Sequence, residues 1–167
     1  MRLSRNGRVL ATARIGHGRT AIQPEIVVTG PKTAVAFLRP FDGSANLYRS
    51  ETIDGGQTWT PPAQLTDVAN PGSPVAALLL SDGRILMAAN NDASSAQSLS
   101  LMVSRDRGRH WTTLYDIEKS GPEKRRAVRY PDLESLATGE ILLTYSTYSR
   151  GAIRGQVFNE AWLNSRE

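Results

Sequence analysis

The chain has 167 residues, 40% hydrophobic and 22% charged, which suits one ordinary domain with a sizeable core. It has no cysteine, which excludes disulfides and thiolate metal sites, and its two histidines, His17 and His110, lie too far apart in sequence to suggest a zinc site or a histidine-driven triad. The net charge of +4 comes from scattered basic residues, the densest group being Lys124, Arg125, Arg126 and Arg129, and it suits an anionic small ligand better than nucleic acid.

No apolar run is long enough to cross a bilayer, so no membrane partner is expected. Met1 is followed by polar residues and glycines, so no signal peptide is visible, and the compartment is left open. No cofactor and no metal are expected.

In chain order, "NGRVLATA" (Asn6 to Ala13) reads as a lone strand and imitates "DGRILMAA" (Asp82 to Ala89). The first full unit opens with "QPEIVVTGPKTAVAFLR" (Gln23 to Arg39), two short apolar runs about a turn at Gly30. Runs rich in Val, Ile, Leu and Thr between glycine turns predict hairpins. "SANLYRSET" predicts a third strand, and "SETIDGGQTW" (Ser50 to Trp59) closes the unit with an aspartate-glycine turn.

The second unit repeats this plan. "SPVAALLLSDGRILMAAN" (Ser73 to Asn90) turns at Gly83, and "SLSLMVSRD" leads into "SRDRGRHW" (Ser104 to Trp111). "DIEKSGPEKRR" (Asp116 to Arg126) reads as a loop. The third unit starts with "YPDLESLATGEILLTYS" (Tyr130 to Ser146) around Gly139 and ends with "IRGQVFNEAWL" (Ile153 to Leu163), a strand and a terminal tryptophan without an aspartate-glycine turn.

Pro24, Pro74 and Pro131 open the three units, 50 and 57 residues apart. A proline at a strand start loses little, because its missing donor lies outside the ladder. Antiparallel four-stranded units at this pitch predict an all-β fold: a partial β-propeller of about three blades. One incomplete propeller domain spans 1–167, with approximate blades 20–70, 71–125 and 126–167 and a contribution from strand 6–14. Three blades leave open edges, so the ring needs either missing N-terminal blades or a second copy.

Asp54 and Asp106 can each accept backbone donors within their own turn, and Gly56 and Gly108 supply tight positions beside them. Trp59 and Trp111 then fill the space between adjacent sheets, with the indole N–H bonded to the turn. One carboxylate per turn is too few for a calcium loop. Tyr145 and Tyr148 read as sheet aromatics, and Trp162 as a packing plug.

Both turns match the Asp-box repeat, S-x-D-x-G-x-T-W, with Thr52 in the serine place of the first and His110 in the threonine place of the second. Around them, "IQPEIV", "AFLRP", "DGRILMAANND" and "RYPDLESLATGEILLTYSTYSRGAIRGQVFNEAWL" resemble the later blades of sialidase-like (BNR-repeat) proteins, from about Ile22 to Leu163. The resemblance covers only the second half of such a protein and implies six blades in the whole. It implies retaining hydrolysis of terminal sialic acid or a related anionic sugar: an arginine triad grips the substrate carboxylate, a tyrosine assisted by a glutamate is the nucleophile, and an aspartate is the acid/base.

By this resemblance Tyr130 in "RYPDL" matches the nucleophile, and Arg39 in "FLRP" matches one triad arginine. Glu25 in "QPEIV" lies roughly where the assisting glutamate would be. Arg150 in "YSTYSR" matches an arginine common in the subgroup. Ala96 stands where a central triad arginine is usual, and Ile153–Gly155 replaces "IKH". The first-blade arginine and the acid/base aspartate have no counterpart in the sequence.

The repeat places some of these residues independently. Gln23, Ser73 and Tyr130 share the position before proline, while Arg39 and Asn90 end the second strand of successive units. Gln23, Arg39, Asn90 and Tyr130 are therefore expected around one mouth. A phenol ionises only near pH 10, so Tyr130 needs a base such as Glu25. Arg39 can grip a carboxylate with two prongs. Enzymatic status is left open, because Ala96 favours a non-catalytic glycan binder and the Asp boxes alone suffice for a structural or protein-interaction propeller.

Overall fold

The computed structural model describes residues 2–16, 19–119, 127–147 and 151–167. A short hairpin, β1 (Arg2–Leu3) and β2 (Val9–Ala11), comes first. Two four-stranded antiparallel sheets follow in meander order. The first holds β3 (Ala21–Val28), β4 (Ala34–Pro40), β5 (Asn46–Thr52) and β6 (Ala63–Ala69). The second holds β7 (Ala76–Leu79), β8 (Ile85–Ala89), β9 (Leu99–Ser104) and β10 (Thr112–Glu118). The third sheet has β11 (Val128–Ser135), β12 (Ile141–Thr147) and β13 (Ala152–Phe158), and α1 (Glu160–Asn164) follows it.

The hairpins form where glycine relieves the backbone. Leu80 N–H donates to Arg84 O at 2.8 Å and Gly83 N–H to Leu80 O at 3.1 Å. The pairs Leu136/Glu140 with Gly139, and Ser4/Arg8 with Gly7, repeat this turn. Each glycine is left-handed, with φ of 87°, 83° and 81° at Gly83, Gly139 and Gly7, the conformation a short hairpin loop demands. The segment around Asn6–Ala13 is thus the turn and second strand of a hairpin built on the same plan as β7–β8.

Period-two alternation drives both faces of the middle sheet into cores. Ile85, Met87 and Ala89 of β8 pack with Val27, Val35, Phe37 and Leu47 of the first sheet. Leu86 and Ala88 face the other way, against Leu133, Leu143 and Tyr145 of the third. The opening strands β3 and β11 both pack against β7, so the sheets are arranged face to face with their first strands innermost.

The third sheet departs from the repeat. After β13 the chain turns into α1, capped by Asn159, whose side-chain oxygen accepts from Trp162 N–H at 2.9 Å. Leu163 is fully buried in the core between second and third sheets. Trp162 meets Tyr115 edge-on at 5.3 Å. Ser81 binds Glu160 through N–H and hydroxyl, both 2.9 Å, and the buried Arg84 joins Asp82, Asn164 and Glu167. β10 also continues through Asp116–Glu118, where the sequence favours a loop; the strand pairing with β9 extends to Glu118–Leu99.

Candidate functional site

The two Asp boxes have the same hydrogen-bond pattern. The Asp54 carboxylate accepts from Gln57 N–H (2.8 Å), Thr58 N–H (3.0 Å), Thr58 Oγ1 (2.6 Å) and Thr52 Oγ1 (2.9 Å). Asp106 accepts from Arg109 N–H (3.0 Å), His110 N–H (2.9 Å) and Ser104 Oγ (2.9 Å). Thr52 Oγ1 and Ser104 Oγ accept from Gly56 and Gly108 N–H at 3.0 and 2.8 Å. The Thr58 hydroxyl and backbone N–H pull the Asp54 carboxyl down to about 2. Asp106 is also lowered: burial opposes the shift, but the bonds from His110, Ser104 and Arg109 prevail. His110, bound to Asp106 through Nδ1 at 2.5 Å, is raised by that bond.

The two tryptophans differ. Trp111 is buried, donates Nε1–H to Gly108 O at 3.2 Å and meets Phe37 of the first sheet edge-on at 5.3 Å. A Cβ on Gly108 would come within 2.4 Å of the Phe37 ring, so glycine is required there for packing as well as backbone. Trp59 is half-buried against the cluster of Ala36, Leu38 and Tyr48, beside a cavity of about 320 Å³ shared with Arg14, Ile15, Ala21, Pro61 and Pro62. Its sequence expectation is corrected accordingly: Trp59 lies against Ala36, Leu38 and Tyr48 of its own sheet and is only half-buried, where Trp111 is buried between two sheets.

The other candidates lie at the end where β3, β7 and β11 begin and β4, β8 and β12 end. Gln23 and Tyr130 are both left-handed, with φ of 51° and 53°, and both sit at β-bulges. At Gln23 the pairing jumps from Ile22–Arg39 to Pro24–Leu38, and at Tyr130 from Arg129–Ser146 to Asp132–Thr144. A left-handed non-glycine residue costs about 1–2 kcal/mol, and bulges re-aim side chains. Both side chains are exposed, Tyr130 at 52%. Ser73, the equivalent residue of the second sheet, is instead fully buried; its N–H donates to Asn70 Oδ1 at 2.8 Å.

Arg39 is half-buried on the face toward the second sheet, where one Nη donates to Gly72 O at 2.9 Å. Its Nε is buried without a hydrogen-bond partner among the described residues. Asn90, expected at the mouth, directly follows β8. It is fully buried, and its amide donates to Ser98 O and, at 3.0 Å, to Val128 O. These bonds fasten the second sheet to the start of β11. Ala96 is buried beside it and accepts from Val128 N–H at 2.6 Å. Arg150 and Tyr148 lie outside the described residues.

Glu25 is half-buried on β3 and accepts a hydrogen bond from the Ala77 backbone of β7. Burial, then the charge of Asp132, hold its carboxyl above the ordinary value against that bond. Among the described residues no hydrogen bond joins Glu25 to Tyr130. Asp132 itself was missed in the sequence. The repeat carried the signal, since Glu25 and Asp132 each follow the proline of their unit. Tyr145, read as a sheet aromatic, is buried and donates to Glu118 at 2.9 Å, with Arg154 on the same carboxylate.

The BNR repeat-like domain family matches residues 1–143. The chain belongs to this family. Its fold agrees with solved structures of two trans-sialidases and an arabinofuranosidase. The leech intramolecular trans-sialidase, complexed with 2,7-anhydro-Neu5Ac, aligns with a TM-score of 0.66 at 19% identity, over 88% of this chain and 24% of that one. The intramolecular trans-sialidase of Ruminococcus gnavus, in complex with oseltamivir carboxylate, gives 0.66 at 24% identity, over 87% and 34%. An α-L-arabinofuranosidase of Fusarium graminearum, complexed with arabinobiose, gives 0.64 at 15% identity, over 84% and 45%. The chain therefore spans less than half of each, and at these identities the likeness establishes the sialidase-like propeller fold. No curated protein sequence matches the chain.

Proposed function

We propose that the chain forms half of the sugar site of a sialidase-like glycoside hydrolase that acts on terminal sialic acid or a related anionic sugar. The observation that carries this reading is the pair of left-handed bulges that present Gln23 and Tyr130 at one end of the sheets. Strain of this kind persists where the surrounding structure imposes it, and it clusters at functional sites. Arg39, near the same end of the sheets, supports the reading with a buried Nε that has no hydrogen-bond partner among the described residues.

In this reading Arg39 pairs with the sugar carboxylate, and Gln23 contacts a hydroxyl. The Tyr130 oxygen attacks the anomeric carbon while Glu25 takes its proton. Burial and Asp132 raise Glu25 toward the range of a useful base. The glycosyl-tyrosine bond is then hydrolysed, so configuration is retained. The acid for the leaving oxygen, further arginines and Arg150 belong to the rest of the ring, supplied by additional blades or by a second copy. Ala96 favours a second reading, a non-catalytic glycan binder, because it puts an apolar side chain where an arginine would complete the anion grip.

A fluorogenic sialoside separates them. Hydrolysis by the unaltered chain and its loss in Tyr130→Phe support the enzyme; equal rates in both remove Tyr130 as nucleophile. Saturable binding of sialic acid without turnover, lost in Arg39→Ala, supports the binder. Binding of arabinobiose in preference to sialic acid overturns the anionic-sugar assignment.

A further inference from the structure

We infer that Phe41 is an aromatic wall of this opening, placed to stack on the C–H face of a sugar or on its aglycone beside Arg39; the inference rests on the sugar-site reading above. Phe41 directly follows β4, and the ladder to β3 continues through it: Ala21 pairs with Pro40, and Phe41 N–H donates to Thr20 O at 2.9 Å. Strand alternation therefore still applies at this residue. Val35 and Phe37 face the second sheet, and Arg39 reaches Gly72 there, so Phe41 takes the same side one step beyond the sheet end.

Phe41 is 56% exposed although Leu38 and Pro40 beside it are buried. The backbone that carries it is firmly held. Asp42 Oδ1 accepts from Ser44 N–H at 3.0 Å, Asp42 Oδ2 accepts from the Tyr48 hydroxyl at 2.7 Å, and that hydroxyl accepts from Gln64 at 2.8 Å. Of the exposed large aromatics, Tyr115 packs on Trp162, whereas Phe41 and Tyr130 make no ring contact among the described residues. Phe41 follows the end of β4 and Tyr130 lies near the start of β11, strand ends tied to the second sheet by the Arg39–Gly72 and Asn90–Val128 hydrogen bonds. A flat ring next to a guanidinium fits a ligand with one apolar face and one carboxylate.

The test uses the full chain and two probes, methyl sialoside and 4-methylumbelliferyl sialoside, titrated by calorimetry into the unaltered protein, Phe41→Ala, Phe41→Leu, Phe41→Trp and Arg39→Ala. Phe41→Ala and Phe41→Leu should keep the melting temperature and bind the aryl probe about 2- to 10-fold more weakly. Phe41→Trp should bind as the unaltered chain does. Arg39→Ala should lose both probes. Undiminished binding by Phe41→Ala, or full binding by Phe41→Leu, overturns the aromatic wall while leaving the Arg39 site standing. Binding of neither probe by the unaltered chain overturns both.

Discussion

Asp54 shows what single side chains contribute at the residue scale. Its carboxyl sits at about 2, held first by the Thr58 side chain, against an ordinary value of about 3.9. A depressed carboxylate stabilises the fold above its unfolded pKa, and that contribution is lost as pH falls through the folded one. The melting temperature should therefore decline between about pH 4 and pH 2, and Asp54→Asn should flatten that part of the profile; an unchanged slope would remove the staple role. Glu25 has the opposite sign. Burial and Asp132 raise it, so its contribution is greatest below about pH 4.3 and falls as pH rises through the folded value. Glu25→Gln keeps an acceptor for Ala77 and removes the repulsion. The variant should melt no lower than the parent at pH 7 and converge with it in acid, while any sialidase turnover disappears. A markedly lower melting temperature at pH 7 would mean that the charge is paired after all.

At the element scale, the tryptophans that close the two Asp boxes meet different neighbours. Trp111 meets Phe37 of the preceding sheet, while Trp59 is only half-buried, against the small cluster of Ala36, Leu38 and Tyr48. Trp111→Ala should cost about 3–5 kcal/mol, the usual range for a buried large aromatic, and Trp59→Ala clearly less; urea denaturation of the two variants measures the difference. Equal losses would show that Trp59 is as fully packed as its counterpart. The hairpins, their glycine turns and both boxes were legible because each rests on local rules: alternation, left-handed glycine, and an acid facing its own backbone. The partial exposure of Trp59 was not, because it depends on what lies across the interface. Nor was α1 legible. "NEAWL" is too short for a helical period, and its place is fixed by distant partners, Ser81 and Arg84. The same limit governs the site. The motifs put Tyr130 near the start of β11 and Arg39 near the end of β4, but they did not report the burial of Asn90, whose amide N–H groups donate to Ser98 and Val128.

The scale of the whole molecule brings in the faces that end the stack of sheets. In the third sheet Ile153 and Val157 are 80% and 54% exposed, on the side opposite the core shared with β8. In the first sheet Ile26 and Val28 are 47% and 65% exposed, again away from the middle sheet. Every interior position of this architecture covers such a face with the next blade, and propellers close on themselves. Open sheet surfaces otherwise pair with other chains. The 167-residue chain should therefore associate in solution, with a mass by light scattering above the 18.2 kDa of one copy. Replacing Ile153 and Val157 with lysine should lower that mass toward a single copy without unfolding the sheets, since both side chains face outward. If this apolar face closes a ring, the proposed sugar site predicts that sialoside binding weakens together with the mass, because in that proposal the rest of the ring completes the site. A stable single-copy mass for the unaltered chain at high concentration would mean that these faces tolerate water and that Arg39 and Tyr130 work, if at all, within a half-ring.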